Sequence, residues 1–161
     1  MSTITASRTI AAPVHVAWGI FTDLPGRPAW LSTVDAVEVL TPGEFGAGVR
    51  WRETRTLGGA ATVTEELVVT EVVPGERCVI TSPGAGVDYE LTYTFRPIDV
   101  GRGKGGTTVE AVFEGQPASR TGKMLALFLG GLAARTVEGA LRRDLDALAA
   151  ACADPMASSA A

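Results

Sequence analysis

The chain has 161 residues, of which 46% are hydrophobic and 20% charged, and this suits one globular domain with a sizeable core. Its formal net charge of −4 argues against a nucleic-acid partner, because such proteins carry a dense basic patch. The two cysteines, Cys78 and Cys152, form no metal or redox motif, and we interpret them as reduced thiols in a cytoplasmic protein. The absence of Asn and the large excess of Arg over Lys suggest a bacterial coding bias.

The sequence opens with a predicted strand and two short helices. Side chains alternate over Thr3–Ala11, which predicts a strand. Pro13 fits the first turn of a helix whose apolar residues, as far as Phe21, recur at three- and four-residue spacing. A second short helix follows Asp23, and prolines interrupt the pattern before Trp30.

Six further strands are predicted, separated by turns rich in Pro and Gly. They are Val34–Leu40, Val49–Leu57, Thr62–Val73, Cys78–Thr81, Val87–Arg96 and Thr107–Gly115. A Gly-rich hairpin loop, Pro97–Gly106, is expected between the last two strands. Its GxGxxG string is not a dinucleotide-binding motif, because a strand rather than a helix follows it.

The last predicted element is one long helix from Ser119 to Cys152. It is apolar on almost every side over Met124–Ala134. Beyond that stretch its apolar residues form a single stripe of Val137, Leu141, Leu145, Leu148 and Cys152. The apolar stretch is far shorter than the about 20 residues that cross a bilayer, so we expect no integral membrane segment. A long helix after a run of hairpins must cover the sheet. The predicted fold class is therefore α+β, with a curved antiparallel sheet wrapped around the long C-terminal helix.

Several short strings occur in a particular order along the chain. They are Ile10–Val14 with Trp18, Phe21 and Asp23, then Trp30, Gly48–Trp51, Val69–Glu71 with Pro74, and finally Asp144, Leu145 and Leu148. In order and spacing they resemble the START-like helix-grip superfamily (SRPBCC), in its bacterial polyketide cyclase/dehydratase and lipid-transport branch. The resemblance covers residues 3–150. It implies one START-like ligand-binding domain, residues 1–152, with a deep pocket between sheet and helix. The small and polar residues 153–161 predict a disordered tail.

A sheet that grips a helix tends to enclose a cavity, and such cavities hold small molecules. We expect ligand contacts from inward-facing and helix side chains: Trp30, Trp51, Tyr89, Leu91, Tyr93, Phe113, Met124, Leu127, Phe128 and Gly131. The two tyrosine hydroxyls either bond a ligand oxygen or belong to core aromatics bonded to protein or water. Gly130 and Gly131 are expected to bend the helix and widen the cavity, or to make a kink with no ligand beneath it.

Charged residues on the strand Val49–Leu57 are the candidates for chemistry. One face of this strand is fully polar and belongs in solvent, which turns Glu53 and Arg55 to the concave side. Buried charges must be paired, so these two pair with each other or with Glu65 on the next strand. Arg55 would then hold a carboxylate or enolate of a ligand, or form an exposed ion pair of little energetic weight. A register slip of one residue would reverse this assignment.

Two functions remain open at this stage. The first is binding or carriage of a small hydrophobic molecule, lipid-like or resembling a polycyclic polyketide. The second is a cofactor-independent cyclase or dehydratase, in which Arg55 or a tyrosine stabilises an enolate and Glu53 or Glu65 moves a proton. With a single histidine, His15, expected on the surface, we predict no metal site, cofactor or Ser/His/Asp triad. A partner-binding module resting on residues 124–134, and a homodimer, are weaker alternatives.

Overall fold

A computed structural model describes residues 2–57, 61–82, 87–99, 101, 105–117 and 133–153. These residues form seven strands and three helices. The strands are β1 (Ser2–Ile10), β2 (Val34–Val39), β3 (Arg50–Leu57), β4 (Ala61–Val73), β5 (Arg77–Thr81), β6 (Val87–Asp99) and β7 (Gly105–Pro117). The helices are α1 (Val14–Thr22), α2 (Arg27–Trp30) and α3 (Ala133–Ala153).

The seven strands make one antiparallel sheet in the order β1-β7-β6-β5-β4-β3-β2. From β2 to β7 each strand pairs with the next along the chain, and β1 closes the far edge against β7. Tight turns make this meander possible. At the predicted Pro74-Gly75 turn, Gly75 has a φ of 74° and the Glu76 N–H donates to the Val73 carbonyl at 2.9 Å. The geometry is that of a type II turn, which needs a residue tolerant of positive φ.

Helix α3 lies over one face of the sheet, next to β1 and helices α1 and α2. All members of its predicted apolar stripe are buried: Val137, Leu141, Leu145, Leu148 and Cys152. They join the inner-face residues of the strands in one hydrophobic core. The predicted α+β architecture, a curved antiparallel sheet around a C-terminal helix, is confirmed.

Each predicted strand differs from the observed one by one to three residues at one or both ends. The loop Pro97–Gly106 is shorter, because Pro97–Asp99 continues β6 and pairs with Gly105–Thr107 of β7. Pro97 is tolerated because it lies beyond the last β5–β6 pair, Arg77 with Thr94, so no strand needs its missing N–H on that side. Ala153, predicted to begin the tail, is the last residue of α3. The first part of the predicted long helix, residues 119–132, lies outside the described residues, as does the rest of the predicted tail.

Candidate functional site

Strand β3 presents its charged residues Glu53 and Arg55 to the interior, as the alternation predicted. Trp51 and Glu53 are 0% and 3% exposed, and the Arg55 side chain is 27% exposed. Arg50 and Arg52, which alternate with them, point outward and are exposed. The register is therefore the predicted one, and two charged groups lie among core side chains.

These two residues belong to a group of four that we call the inner ion cluster: Arg27, Glu53, Arg55 and Asp144. Arg55 Nε donates to Glu53 Oε1 at 2.7 Å, and Arg55 Nη1 lies 3.1 Å from Asp144 Oδ2. Arg27 Nε lies 3.2 Å from Glu53 Oε2. The cluster contains two cations and two carboxyl groups, so its charges balance when both carboxyls are ionised.

Three elements meet in the inner ion cluster. Glu53 and Arg55 come from β3, Arg27 is the first residue of α2, and Asp144 comes from α3. The Arg27 guanidinium lies over two aromatic rings, 5.6 Å from the centroid of Phe21 and 5.9 Å from that of Trp51. Such contacts favour a cation in an apolar setting. The cluster therefore ties both the short helix and the long helix to the middle of one strand.

The two carboxyl groups of the cluster differ in their acid–base behaviour. Burial opposes ionisation of Glu53, but the charges of Arg27 and Arg55, with hydrogen bonds from Arg55 and Trp51, leave its pKa lowered. At Asp144 burial outweighs the attraction of Arg55 and Arg27, so its pKa is raised. Burial also opposes the charge of Arg55, yet Asp144 and Glu53 raise its pKa, which keeps this guanidinium charged.

A small cavity of about 10 Å³ lies beside the inner ion cluster, and we call it the Trp30 recess. It is lined by Phe21, Arg27, Trp30, Leu31, Tyr93, Asp144, Leu145 and Leu148. Within the described part of the chain, the buried donors Arg27 Nη1 and Trp30 Nε1 have no hydrogen-bond acceptor. Arg27 Nε also forms no hydrogen bond, because its contact with Glu53 is ionic and not aligned with the N–H. Buried donors without acceptors are uncommon in folded proteins.

Of the two tyrosines on the inner face, Tyr93 lines the Trp30 recess and Tyr89 lies further along β6. Tyr89 and Tyr93 are four residues apart on β6, roughly 13 Å along the strand. Burial raises the pKa of the Tyr89 phenol, and the charge of Glu65 and a hydrogen bond with it raise that pKa further. The Tyr89 ring packs against Phe113 with centroids 5.3 Å apart. Glu65 thus contacts Tyr89, while Arg55 is paired with Glu53 and Asp144.

The predicted site residues fall into three sets. Glu53 and Arg55 belong to the inner ion cluster, and Trp30, Trp51 and Tyr93 adjoin it. The second set is Glu65, Tyr89, Leu91 and Phe113: Glu65 lies opposite Glu53 on β4 and contacts Tyr89, Leu91 pairs with Phe113, and Tyr89 and Leu91 are partly buried. Met124, Leu127, Phe128 and Gly131 lie outside the described residues.

Sequence reasoning missed the roles of Arg27 and Asp144. Asp144 carried a signal, since it lies seven residues after Val137 and therefore falls on the apolar stripe of α3. A carboxylate on a buried stripe needs a cation, and Arg55 was the candidate. Arg27 carried no such signal, because it stands between Gly26 and Pro28 in a segment without periodicity.

Other features of the described residues bear on the kind of protein. No three His, Cys, Asp or Glu side chains among them are placed to share a metal ion. None of the helices in the described ranges is long and apolar enough to cross a membrane. Cys78 and Cys152 are free thiols in the interior, and burial raises their pKa to about 12 and about 11. His15 is exposed, as expected.

Comparison with known proteins identifies the family. The chain belongs to the polyketide cyclase / dehydrase and lipid transport family, whose sequence profile matches residues 1–153. The resemblance inferred from the short strings is thereby confirmed. No functionally curated protein matches the sequence.

Solved structures share the fold at low sequence identity. TTHA0849 from Thermus thermophilus is 22% identical, with a TM-score of 0.76 over 96% of this chain and 99% of that one. A START superfamily protein from Mycobacterium smegmatis is 13% identical, with a TM-score of 0.64 over 91% and 98%. The di-domain ARO/CYC BexL from the BE-7585A biosynthetic pathway is 18% identical, with a TM-score of 0.66 over 95% of this chain and 49% of BexL. These likenesses show the START-like helix-grip fold.

Proposed function

We propose that this protein binds a small hydrophobic molecule, lipid-like or polycyclic, between the inner face of the sheet and α3. The observation that carries the proposal is the inner ion cluster, a compact polar group set in an otherwise apolar and aromatic face. Ligand sites in proteins combine such walls with a few fixed polar groups that set the orientation of the ligand. Membership of a family described by polyketide cyclisation and lipid transport supports the same class of ligand.

In this proposal Arg55 is the group that orients the polar part of the ligand. Its side chain is 27% exposed, while Glu53 and Asp144 hold its guanidinium by ionic contacts of 2.7 and 3.1 Å. Arg55 Nη1 also donates to Thr33 Oγ1 at 3.2 Å. A guanidinium fixed by three partners is preorganised, which lowers the entropic cost of binding. Tyr89, Leu91 and Phe113 supply the apolar contacts.

A pair of variants on one strand tests the proposal. Leu91→Trp places a large ring on the inner face, whereas Thr92→Trp places the same ring on the opposite face. We expect 2-ethylnaphthalene to bind the native protein at one per chain in equilibrium dialysis. Affinity should fall at least about tenfold in Leu91→Trp, because overfilling a ligand site costs more than 1 kcal/mol, and should hold within about twofold in Thr92→Trp.

The proposal fails if neither 2-ethylnaphthalene nor its ketone analogue 2-acetylnaphthalene binds the native protein. It also fails if both tryptophan variants lose affinity equally, since the effect would then not belong to the inner face. Native mass spectrometry of freshly purified protein adds a second readout. A stoichiometric hydrophobic adduct that is absent from Leu91→Trp supports binding, and it identifies the natural ligand by mass.

One observation favours a second candidate, an enzyme of the cyclase or dehydratase type. Asp144 lies against Arg55, and its raised pKa suits a proton-transfer group better than the lowered pKa of Glu53. Turnover of a linear poly-β-ketone by the native protein, lost in Asp144→Asn while 2-acetylnaphthalene still binds, would establish this activity. If the native protein binds 2-acetylnaphthalene but turns over no poly-β-ketone, the carrier function remains.

We also propose a cytoplasmic location, which the buried free thiols of Cys78 and Cys152 support.

A further inference from the structure

We propose that the Trp30 recess receives one uncharged carbonyl oxygen of the hydrophobic ligand, which Arg27 and Trp30 hold by hydrogen bonds. The inference rests on the proposed binding function and adds a specific place and chemistry for one group of the ligand. It starts from two donors, Arg27 Nη1 and Trp30 Nε1, that are buried without an acceptor in the described part of the chain. Both residues line the same cavity.

The donors define what the recess can hold. Arg27 is 5% exposed, and both unpartnered atoms are N–H donors with no capacity to accept a hydrogen bond. A buried donor without an acceptor is destabilising, so an acceptor at this place is favoured. A carbonyl oxygen is such an acceptor and carries no competing donor of its own.

The volume of the recess limits the part of the ligand that fits inside it to about one heavy atom. A volume of about 10 Å³ is close to that of a single water-sized sphere. A water fills such a place in an unliganded protein, and a ligand oxygen that reproduces its hydrogen bonds displaces it without loss. Apart from Asp144, the remaining walls are apolar or aromatic, among them Phe21, Leu31 and Leu148, and they suit the carbon next to a carbonyl.

Charge argues for an uncharged oxygen rather than a carboxylate. The inner ion cluster is balanced, with Arg27 and Arg55 against Glu53 and Asp144. Asp144 itself lines the recess, so a second carboxylate there would face a like charge in a buried setting. A ketone or aldehyde oxygen needs no compensating charge and still gains a charge-assisted hydrogen bond from Arg27.

A test uses Trp30→Phe, which keeps an aromatic ring but removes the indole N–H together with part of the ring. The probes are 2-acetylnaphthalene and 2-ethylnaphthalene, which differ by one oxygen atom in a side chain of the same length. The measured quantity is the ratio of their affinities in each protein, by equilibrium dialysis at pH 7.5. We expect the ratio of ketone to hydrocarbon affinity to fall roughly threefold to tenfold in Trp30→Phe, which corresponds to one neutral hydrogen bond.

Trp18→Phe is the matched control, because Trp18 packs against Phe95 with centroids 5.1 Å apart and does not line the recess. Its affinity ratio should equal that of the native protein. The infrared carbonyl band of bound 2-acetylnaphthalene should lie at lower frequency in the native protein and Trp18→Phe than in Trp30→Phe. This band reports the hydrogen bond itself, which a change in packing alone would not move.

The outcomes separate the inference from the function on which it rests. If both probes bind and the affinity ratio is the same in Trp30→Phe and the native protein, the carbonyl site is wrong and hydrophobic binding stands. If 2-naphthoate binds the native protein more tightly than 2-acetylnaphthalene at pH 7.5, the uncharged oxygen is wrong. If neither naphthalene probe binds, the proposed function falls and the carbonyl site falls with it.

Discussion

The two faces of β3 carry the same kinds of charged residue in opposite surroundings. On the outer face Arg50 pairs with Glu66, and Arg52 pairs with Glu38 at 3.3 Å, both on neighbouring strands and both accessible to water. On the inner face Glu53 and Arg55 join Arg27 and Asp144 in the interior. The outer pairs connect strands that the backbone ladder already holds, whereas the inner ion cluster connects the sheet to two helices.

The energetic consequences of the two faces differ in kind. An exposed ion pair contributes about 0–1 kcal/mol, because water solvates its members equally well when they separate. A buried pair contributes little net stability over an apolar replacement, but removing one partner strands the other charge in the interior. The comparison therefore predicts a large loss of stability where an inner substitution removes the carboxylate that two buried cations share, and small losses on the outer face.

The largest effect is expected for Glu53→Gln. Glu53 is the shared partner of Arg27 and Arg55, so neutralising it leaves two cations facing each other with only Asp144 to balance them. We expect a loss of about 3–5 kcal/mol in the free energy of unfolding, measured by urea denaturation at pH 7.5. This is a large share of the about 5–15 kcal/mol by which domains are stable.

Glu66→Gln is the matched control for that loss. Glu66 lies on β4 opposite Arg52 and pairs with Arg50 on the outer face. The same chemical change there should cost less than about 1 kcal/mol. Equal losses in the two variants would mean that burial of the inner ion cluster has no energetic consequence, and the contrast between the two faces would be lost.

Asp144→Asn should change the free energy of unfolding less than Glu53→Gln does, and in the opposite direction, at neutral pH. Because the folded-state pKa of Asp144 is raised, ionising this carboxyl group is less favourable in the folded protein than in the unfolded chain. Asn resembles the protonated acid, and Arg55 keeps Glu53 as a partner, so we expect this variant to be as stable as the native protein or slightly more stable at pH 7.5. Asp146→Asn, on the exposed side of the same helix, should show no gain in stability.

Lowering the pH sharpens the difference between the two carboxyl groups. A raised pKa gives stability that is present below the unfolded value, 3.8 for Asp144, and is lost as the pH rises through the folded value. The advantage of Asp144→Asn should therefore vanish as the pH falls toward 3.8.

A lowered pKa gives stability that is present above the unfolded value, 4.5 for Glu53, and is lost as the pH falls through the folded value. The deficit of Glu53→Gln should therefore shrink below pH 4.5. Parallel pH trends in the two variants would contradict this assignment.

The contrast also shows where sequence is informative. Alternation of polar and apolar residues was enough to turn Trp51, Glu53 and Arg55 inward, because a strand has only two faces and one of them was fully polar. The apolar stripe of α3 was equally readable from its spacing. The contact between Arg55 and Asp144 could not be predicted from the sequence, since the two residues are 89 positions apart and meet only through the docking of a helix on a sheet.

The short helix α2 marks the limit of local patterns. With only four residues, Arg27–Trp30, it has too few turns for a periodic signal, and its N-cap residue Gly26 makes no side-chain capping bond. Tertiary contacts fix the position of Arg27, namely those with the aromatic rings of Phe21 and Trp51 and with the carboxylate of Glu53. The Trp30 recess depends on the same docking, so neither its donors nor its size follow from the sequence.

The smallest expected effect is that of the outer pair Arg52–Glu38. Double-mutant cycles to Ala should give a coupling of about 0.2–1 kcal/mol for this pair, falling as NaCl is raised from 0.05 to 1 M, roughly a change in Debye length from over 10 Å to 3 Å. The inner pair Arg55–Glu53 should give a larger coupling with little salt dependence, because ions do not reach a carboxylate that is 3% exposed. If the inner coupling falls with salt as steeply as the outer one, water and ions penetrate the inner ion cluster. Arg55 would then be a solvated charge rather than a preorganised one, and its proposed role in orienting a ligand would lose its physical basis.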